Sequence, residues 1–240
     1  MKHASILMFE NSMNLEDYAD AVKYYSEKYP QVPAALGLDH GDSIEDALLA
    51  IKAGFTGVMV DKSMLPVEEN IRILKEVVDM AHAVDVSVEA GLGGTTWRDP
   101  TPEEIIAHLT KVDEFIQLVN ETKVDAVAVF VGGSHGDHKD GSAVLQYELI
   151  EQLAKATSAV LVMHGSSGTG DEKLAKAVKS GLTKFNVAGD LMAGGAEGYA
   201  KQLQEDSGSD SVVAYNQAIE AGYKKRVAEY MKFLGSTNQF

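Results

Sequence analysis

The sequence contains no cysteine. Disulfides and thiolate metal sites are therefore excluded, and any metal must be held by His, Asp or Glu. Basic residues are scarce too: 21 Lys and Arg stand against 36 Asp and Glu, a formal net charge of −15. So acidic a chain offers no basic face to nucleic acid or to an anionic membrane, and neither is expected as a partner. Long apolar runs are also missing. No stretch reaches the roughly 20 residues needed to span a bilayer. The apolar run 6–9, followed by Glu10 and Asn11, is too short for a signal peptide and lacks a small-residue cleavage pattern. A cytoplasmic location is the expectation. There is no internal repeat, low-complexity tract or linker, so residues 1–240 read as a single domain.

What is present is alternation. Apolar, β-prone runs at 5–9, 32–36, 56–60, 86–90, 125–131, 159–163 and 183–187 alternate with helical sequence at 15–29, 43–54, 67–84, 101–122, 147–157, 171–180 and beyond 186. Local signals mark the helix ends. Asn14 is a cap. Ser43 with Asp46 is a capping-box-like start, and Gly54 suits a stop. Pro66 opens a helix with Glu68 and Glu69 in its first turn, and Thr101-Pro102-Glu103-Glu104 opens the next. Strands alternating with helices imply a parallel sheet with crossover helices, and near-continuous apolar strands fit a sheet covered on both faces. Either a closed barrel or an open doubly wound sheet satisfies this pattern. Both collect functional residues just beyond the C-terminal ends of the strands. About seven strands are countable, against about eight in a complete barrel.

Polar residues cluster at those ends. Asp39-His40-Gly41 follows the run 32–36, His135-Gly136 follows 125–131, and His164-Gly165 follows 159–163. Three histidines at three strand ends can form a His-only zinc site with an open position for substrate. The glycine after each leaves room for backbone N–H groups to approach an anion. Asp39 beside a ligand histidine is a candidate catalytic carboxylate. Its competing reading is a helix cap, but Asp42 and Ser43 are better placed for that. Gly132-Gly133-Ser134 and Gly165-Ser166-Ser167-Gly168 are small-residue loops ahead of helices, suited to phosphate and equally to plain turns. His82, His108 and His138 read as solvated or packing residues.

At these positions the chain resembles the class II, zinc-dependent ketose-bisphosphate aldolases, from about residue 5 to its end. The matching stretches are Leu38-Asp39-His40-Gly41, Gly54 through Ser63, Glu68-Glu69-Asn70, Val86 through Ala90, Val124 through Val129, Ser134-His135-Gly136, Leu161 through Gly168, and Lys184-Phe185-Asn186-Val187. The resemblance implies a TIM (β/α)8-type barrel and an aldolase of carbohydrate metabolism, as in glycolysis, that cleaves or forms a ketose phosphate through a metal-stabilised enediolate. It implies zinc on His40, His135 and His164, with Asp39 as general acid and base and Asn186 on the enediolate. It further implies that Gly136, Lys139, Gly165, Ser167 and Asp190 contact the substrate, and that a companion monovalent cation sits near the phosphate.

The chain also departs from the family. Gly37 stands where His is usual, and Gly91 where a second Glu follows Glu89 by two. The acidic mobile loop is not recognisable in 93–99. The Asn-x-x-Thr-Asp pattern reads Asn186-Val187-Ala188-Gly189-Asp190, without the threonine hydroxyl. Glu10 stands for a phosphate-binding serine, and its carboxylate opposes a phosphate by roughly 1–4 kcal/mol if it faces one. The family's first strand and helix have no counterpart, so a homo-oligomer that covers the gap is expected. Two other readings remain open: a non-catalytic barrel that binds zinc or a sugar phosphate, and a metal-dependent sugar isomerase or epimerase.

Overall fold

A computed structural model of the chain describes residues 14–93, 101–133, 143–206 and 211–239. Its elements run in order α1 (Leu15–Lys28), β1 (Gly37–Gly41), α2 (Ile44–Ala53), β2 (Gly57–Val60), α3 (Val67–His82) and β3 (Ser87–Leu92). Then come α4 (Pro102–His108), α5 (Val112–Thr122), β4 (Ala126–Val129), α6 (Tyr147–Ala156), β5 (Val160–Met163), α7 (Asp171–Ser180) and β6 (Lys184–Phe185). Two long helices, α8 (Gly189–Glu205) and α9 (Val212–Phe233), finish the described chain. The helix ends follow their local chemistry. Ser43 Oγ accepts the Asp46 N–H, and α2 stops at Gly54 in the left-handed region. Thr101 and Glu104 complete a capping box on α4.

The six described strands are all parallel and in sequence order, β1-β2-β3-β4-β5-β6. The expected seventh, at residues 5–9, lies outside the described residues. Strand alternation separates two faces. Val58 and Val60, Val88 and Ala90, Val127 and Val129, and Leu161 and Met163 pack against the helices, joined by Leu74 and Val77 of α3, Phe115 and Leu118 of α5, Ile150 of α6 and Leu174 of α7. The intervening Met59, Ala128 and Val162 form a second, smaller cluster on the other face. That face is the concave one. A flat six-stranded sheet would hold its two edge strands about 24 Å apart. Here Asn186, just after β6, donates to Asp39 of β1 over 3.1 Å. The sheet is therefore curled into a half-barrel of the TIM type, with the smaller cluster inside.

Two strands differ most from expectation. The apolar run 32–36 is not the buried strand: Val32 is 52% exposed and residues 33–35 are exposed. Pairing begins at Gly37 opposite Gly57, because the Leu36 backbone is already held by Thr56 (N–H to Oγ1 2.9 Å). Asp39 and His40 thus lie within β1 rather than beyond it. The expected strand 183–187 shortens to two residues. At the other end of the chain, α8 and α9 pack closely through small residues. A Cβ on Gly222 would stand 2.1 Å from the Gly194 carbonyl.

Candidate active site

Successive residues of a regular strand face opposite ways, so Asp39 and His40 cannot both face inward without an irregularity. The sequence supplies one. Leu38 pairs with Val58 but Gly41 pairs with Val60, so β1 carries one extra residue. His40 takes φ +52, a left-handed backbone that β-carbon-bearing residues rarely adopt. The bulge turns both side chains to the concave face, where Asp39 Oδ1 lies 3.8 Å from His40 Nε2 and 4.0 Å from His164 Nδ1.

Alternation delivers the rest. Two residues beyond inward Met59 comes Asp61, and two beyond Val162 comes His164. Glu89 and Gly91 share the inner face of β3, and Lys184 and Asn186 that of β6. Behind each buried histidine stands a carboxylate. His40 Nδ1 meets Asp61 Oδ2 at 2.5 Å, and His164 Nε2 meets Glu89 Oε1 at 2.8 Å. Carboxylates only accept, so the ring protons belong at those two nitrogens. His40 Nε2 and His164 Nδ1 then face each other with lone pairs at 2.7 Å. Such a pair needs a cation between it, either a shared proton or a metal ion. Asp39, His40 and His164 also bring one donor atom each within 4.8 Å of one another. The donor set, with carboxylates orienting the rings from behind, fits a divalent metal of the zinc type.

The local electrostatics agree. Burial by itself lowers the His40 pKa, but the Asp61 hydrogen bond and the charges of Asp39, Asp61 and Glu89 outweigh it and raise the pKa. Burial by itself raises Asp61; the bonds from His40 and from Ser63 hold it well below the usual carboxylate range. Glu89 is likewise lowered against its burial by His164 and Lys184. Lys184 Nζ donates to Glu89 Oε2 at 2.8 Å and to Asn186 Oδ1 at 2.7 Å. Asn186 Nδ2 donates to Asp39 and lies 3.1 Å from His164 Nε2.

Gly165 follows His164 directly. Ser167 Oγ accepts the Asp190 N–H at 3.1 Å, and Gly168 N–H donates to Asp190 Oδ1 at 3.1 Å. Asp190 Oδ2 is held by Arg226 at 3.1 Å and Tyr230 at 2.7 Å, which fastens the 165–168 loop to α9. The structure thus gathers Asp39, His40, His164 and Asn186 at one point, with Gly165, Ser167 and Asp190 in the adjoining loop. His135, Gly136 and Lys139, like Glu10 and residues 94–99, lie outside the described residues. The sequence reading gave no role to Asp61, Glu89 or Lys184. Counting by two along each strand from its buried apolar residue is the signal that finds them.

Residues 3–239 match the family model described as fructose-bisphosphate aldolase class-II. The fructose-bisphosphate aldolase of Helicobacter pylori (strain ATCC 700392 / 26695) is 34% identical over 251 residues, covering 95% of this chain and 82% of that protein. The one from Geobacillus stearothermophilus is 42% identical over 158 residues, 65% of this chain and 54% of that protein. Among solved structures, the YdjI aldolase from Escherichia coli K12 aligns with a TM-score of 0.81 at 28% identity, covering 96% of this chain and 80% of that one. The chain is a member of the class-II fructose-bisphosphate aldolase family, an aldolase and hence a lyase.

Proposed function

We propose that the chain is a zinc-dependent aldolase that cleaves or forms a ketose phosphate through an enediolate, with Asp39 as general acid and base. The observation that carries this reading is the convergence of Asp39, Asn186 and the facing nitrogens of His40 and His164 at the mouth of the curled sheet. His135 is the third histidine of the proposed metal set. Supporting it, Gly133, two residues earlier, lines the same cavity as His40 and His164. Zinc bound there supplies a Lewis acid to the ketone and hydroxyl oxygens of the substrate.

The chain's own residues do the rest. Asp39 takes the proton from the hydroxyl whose oxygen becomes the aldehyde, and returns it in the condensation direction. Asn186 Nδ2 is placed to donate to the oxygen that gains negative charge. Gly136, Lys139, Gly165 and Ser167 receive the phosphate, with a monovalent cation beside it, and Asp190 holds the 165–168 loop.

The test is hydrogen exchange at the hydroxymethyl carbon of dihydroxyacetone phosphate in D₂O, followed by NMR with and without a chelator. Chelator-sensitive exchange is expected. Asp39→Ala should abolish aldol cleavage while zinc stays bound. A zinc-loaded protein that exchanges neither dihydroxyacetone phosphate nor unphosphorylated dihydroxyacetone overturns the reading.

A further inference from the structure

We propose that Lys184 is a positioning residue for the aldol chemistry. It fixes which end of the Asn186 amide faces Asp39 and the substrate. The inference rests on the function proposed above and assigns a role within that same site.

The two ends of a carboxamide are nearly equal in size, so only its hydrogen-bond partners decide which end points where. Asn186 Nδ2 lies 3.1 Å from His164 Nε2, whose ring proton is taken by Glu89, and two further partners fix the sense of the amide. Asp39 Oδ1 accepts from Nδ2 at 3.1 Å, and Lys184 Nζ donates to Oδ1 at 2.7 Å. A flip would turn Oδ1 toward Asp39 and toward the oxygen that gains charge, replacing attraction with repulsion. Lys184 sets the same sense from the other end of the amide, since an ammonium has donors and no acceptor.

The placement of Lys184 suits this role. Residues 184 and 186 are two apart on the same strand edge, so their side chains share the inner face. Nζ is anchored at 2.8 Å by the far oxygen of Glu89, whose other oxygen is occupied by His164. Lys184 cannot drift without breaking that pair. The Lys184 side chain is 47% exposed although Glu89 is only 12% exposed, so the solvated ammonium buries little of its own surface. The positioning role can therefore be separated from stability.

The experiment is a double-mutant cycle on the zinc-loaded chain with Lys184→Met, Asn186→Ala and the double variant, reading kcat and KM for aldol cleavage. Lys184→Met should lose roughly ten- to hundredfold in kcat, the scale of one hydrogen bond to a charged group. KM, zinc content and melting temperature should stay near wild type. The double variant should be no slower than Asn186→Ala alone, and Lys184→Arg, which keeps the donors, should recover part of the loss. A second reading needs neither metal nor substrate: the Asn186 side-chain amide signals in ¹⁵N NMR of the metal-free protein should shift or broaden in Lys184→Met. Losses that multiply in the cycle, a fall in zinc content, or unchanged amide signals overturn the proposal. If the wild type acts on no ketose, the proposed function fails instead, and the amide signals still report on Lys184 and Asn186.

Discussion

Removing the carboxylate behind His40 tests the metal reading without touching a ligand. Asp61 uses both oxygens: Oδ2 takes the His40 ring proton at 2.5 Å, and Oδ1 takes the Ser63 N–H at 3.0 Å. In Asp61→Asn one of those positions becomes an NH₂ group facing another donor, so the usual conservative replacement cannot satisfy both neighbours. His40 is only 6% exposed, which leaves little water to replace the lost partner. The lost charge-assisted bond is worth about 1.5–3 kcal/mol. Loss of a carboxylate behind a ligand histidine typically costs 10–100-fold in metal affinity, or about 1.4–2.7 kcal/mol, so the two estimates agree. Zinc competition against a chromophoric chelator at fixed pH measures it. Gly91→Ala gives a second approach to the same contact: its Cβ would stand 2.7 Å from Asp61 Oδ1 and 3.1 Å from Ser63 Cβ, displacing the carboxylate while every ligand and charge is kept. Both variants should bind zinc more weakly. His82→Ala, which removes an exposed bond to Asp125, should not. A folded Asp61→Asn protein with zinc affinity within twofold of wild type would refute the reasoning.

Acid should weaken the clasp at Asp190. Burial by itself raises this carboxyl, but Tyr230, Arg226 and the Gly168 N–H lower it below its ordinary value of 3.8. A depressed folded pKa gives stability that is complete above the unfolded value and lost as pH falls through the folded one. Urea melts should therefore place Asp190→Asn about 1.5–3 kcal/mol below wild type at pH 7, with the gap closing as pH drops below 3.8; a gap of constant size would argue against the clasp. We also propose that the chain assembles as a homo-oligomer, given exposed Met192, Tyr199, Leu203, Ile219 and Tyr223 on α8 and α9. Sedimentation should then give at least twice the chain mass, and a monodisperse monomer at micromolar concentration would rule it out.

Helix ends were legible because capping is local. Ser43 with Asp46, Gly54, Thr101 with Glu104, and the bounds of α7 at 171 and 180 are all written within four residues of the boundary they set. Strand ends at 60 and 163 were legible too, but those of 32–36 and 183–187 were not, because pairing sets them. The run 32–36 is apolar enough to be a strand, yet the opposing chain starts at Gly57 and its Thr56 takes the Leu36 backbone first. Likewise the apolar residues of 183–187 pair with β5 only at Lys184 and Phe185. No window confined to those residues contains the information that shortens them.

The site divides along the same line. His164, Glu89, Lys184 and Asn186 follow from counting by two along strands whose apolar residues are visible. Asp39 and His40 do not, since plain alternation sends neighbours to opposite faces. What reconciles them is the extra residue of the bulge, a property of the pairing between β1 and β2. Gly41 is its only local trace. Its small size is explained by the backbone as folded, where a Cβ would stand 2.8 Å from both the Leu38 side chain and the Met59 carbonyl, rather than by the approach of an anion. The left-handed turn at His40 costs roughly 1–2 kcal/mol, and the bond to Asp61 is of a size to offset it. A strand with no task at its end gains nothing from that arrangement. Here the strained residue is the one whose nitrogen faces His164, beside the carboxylate best placed to move a proton.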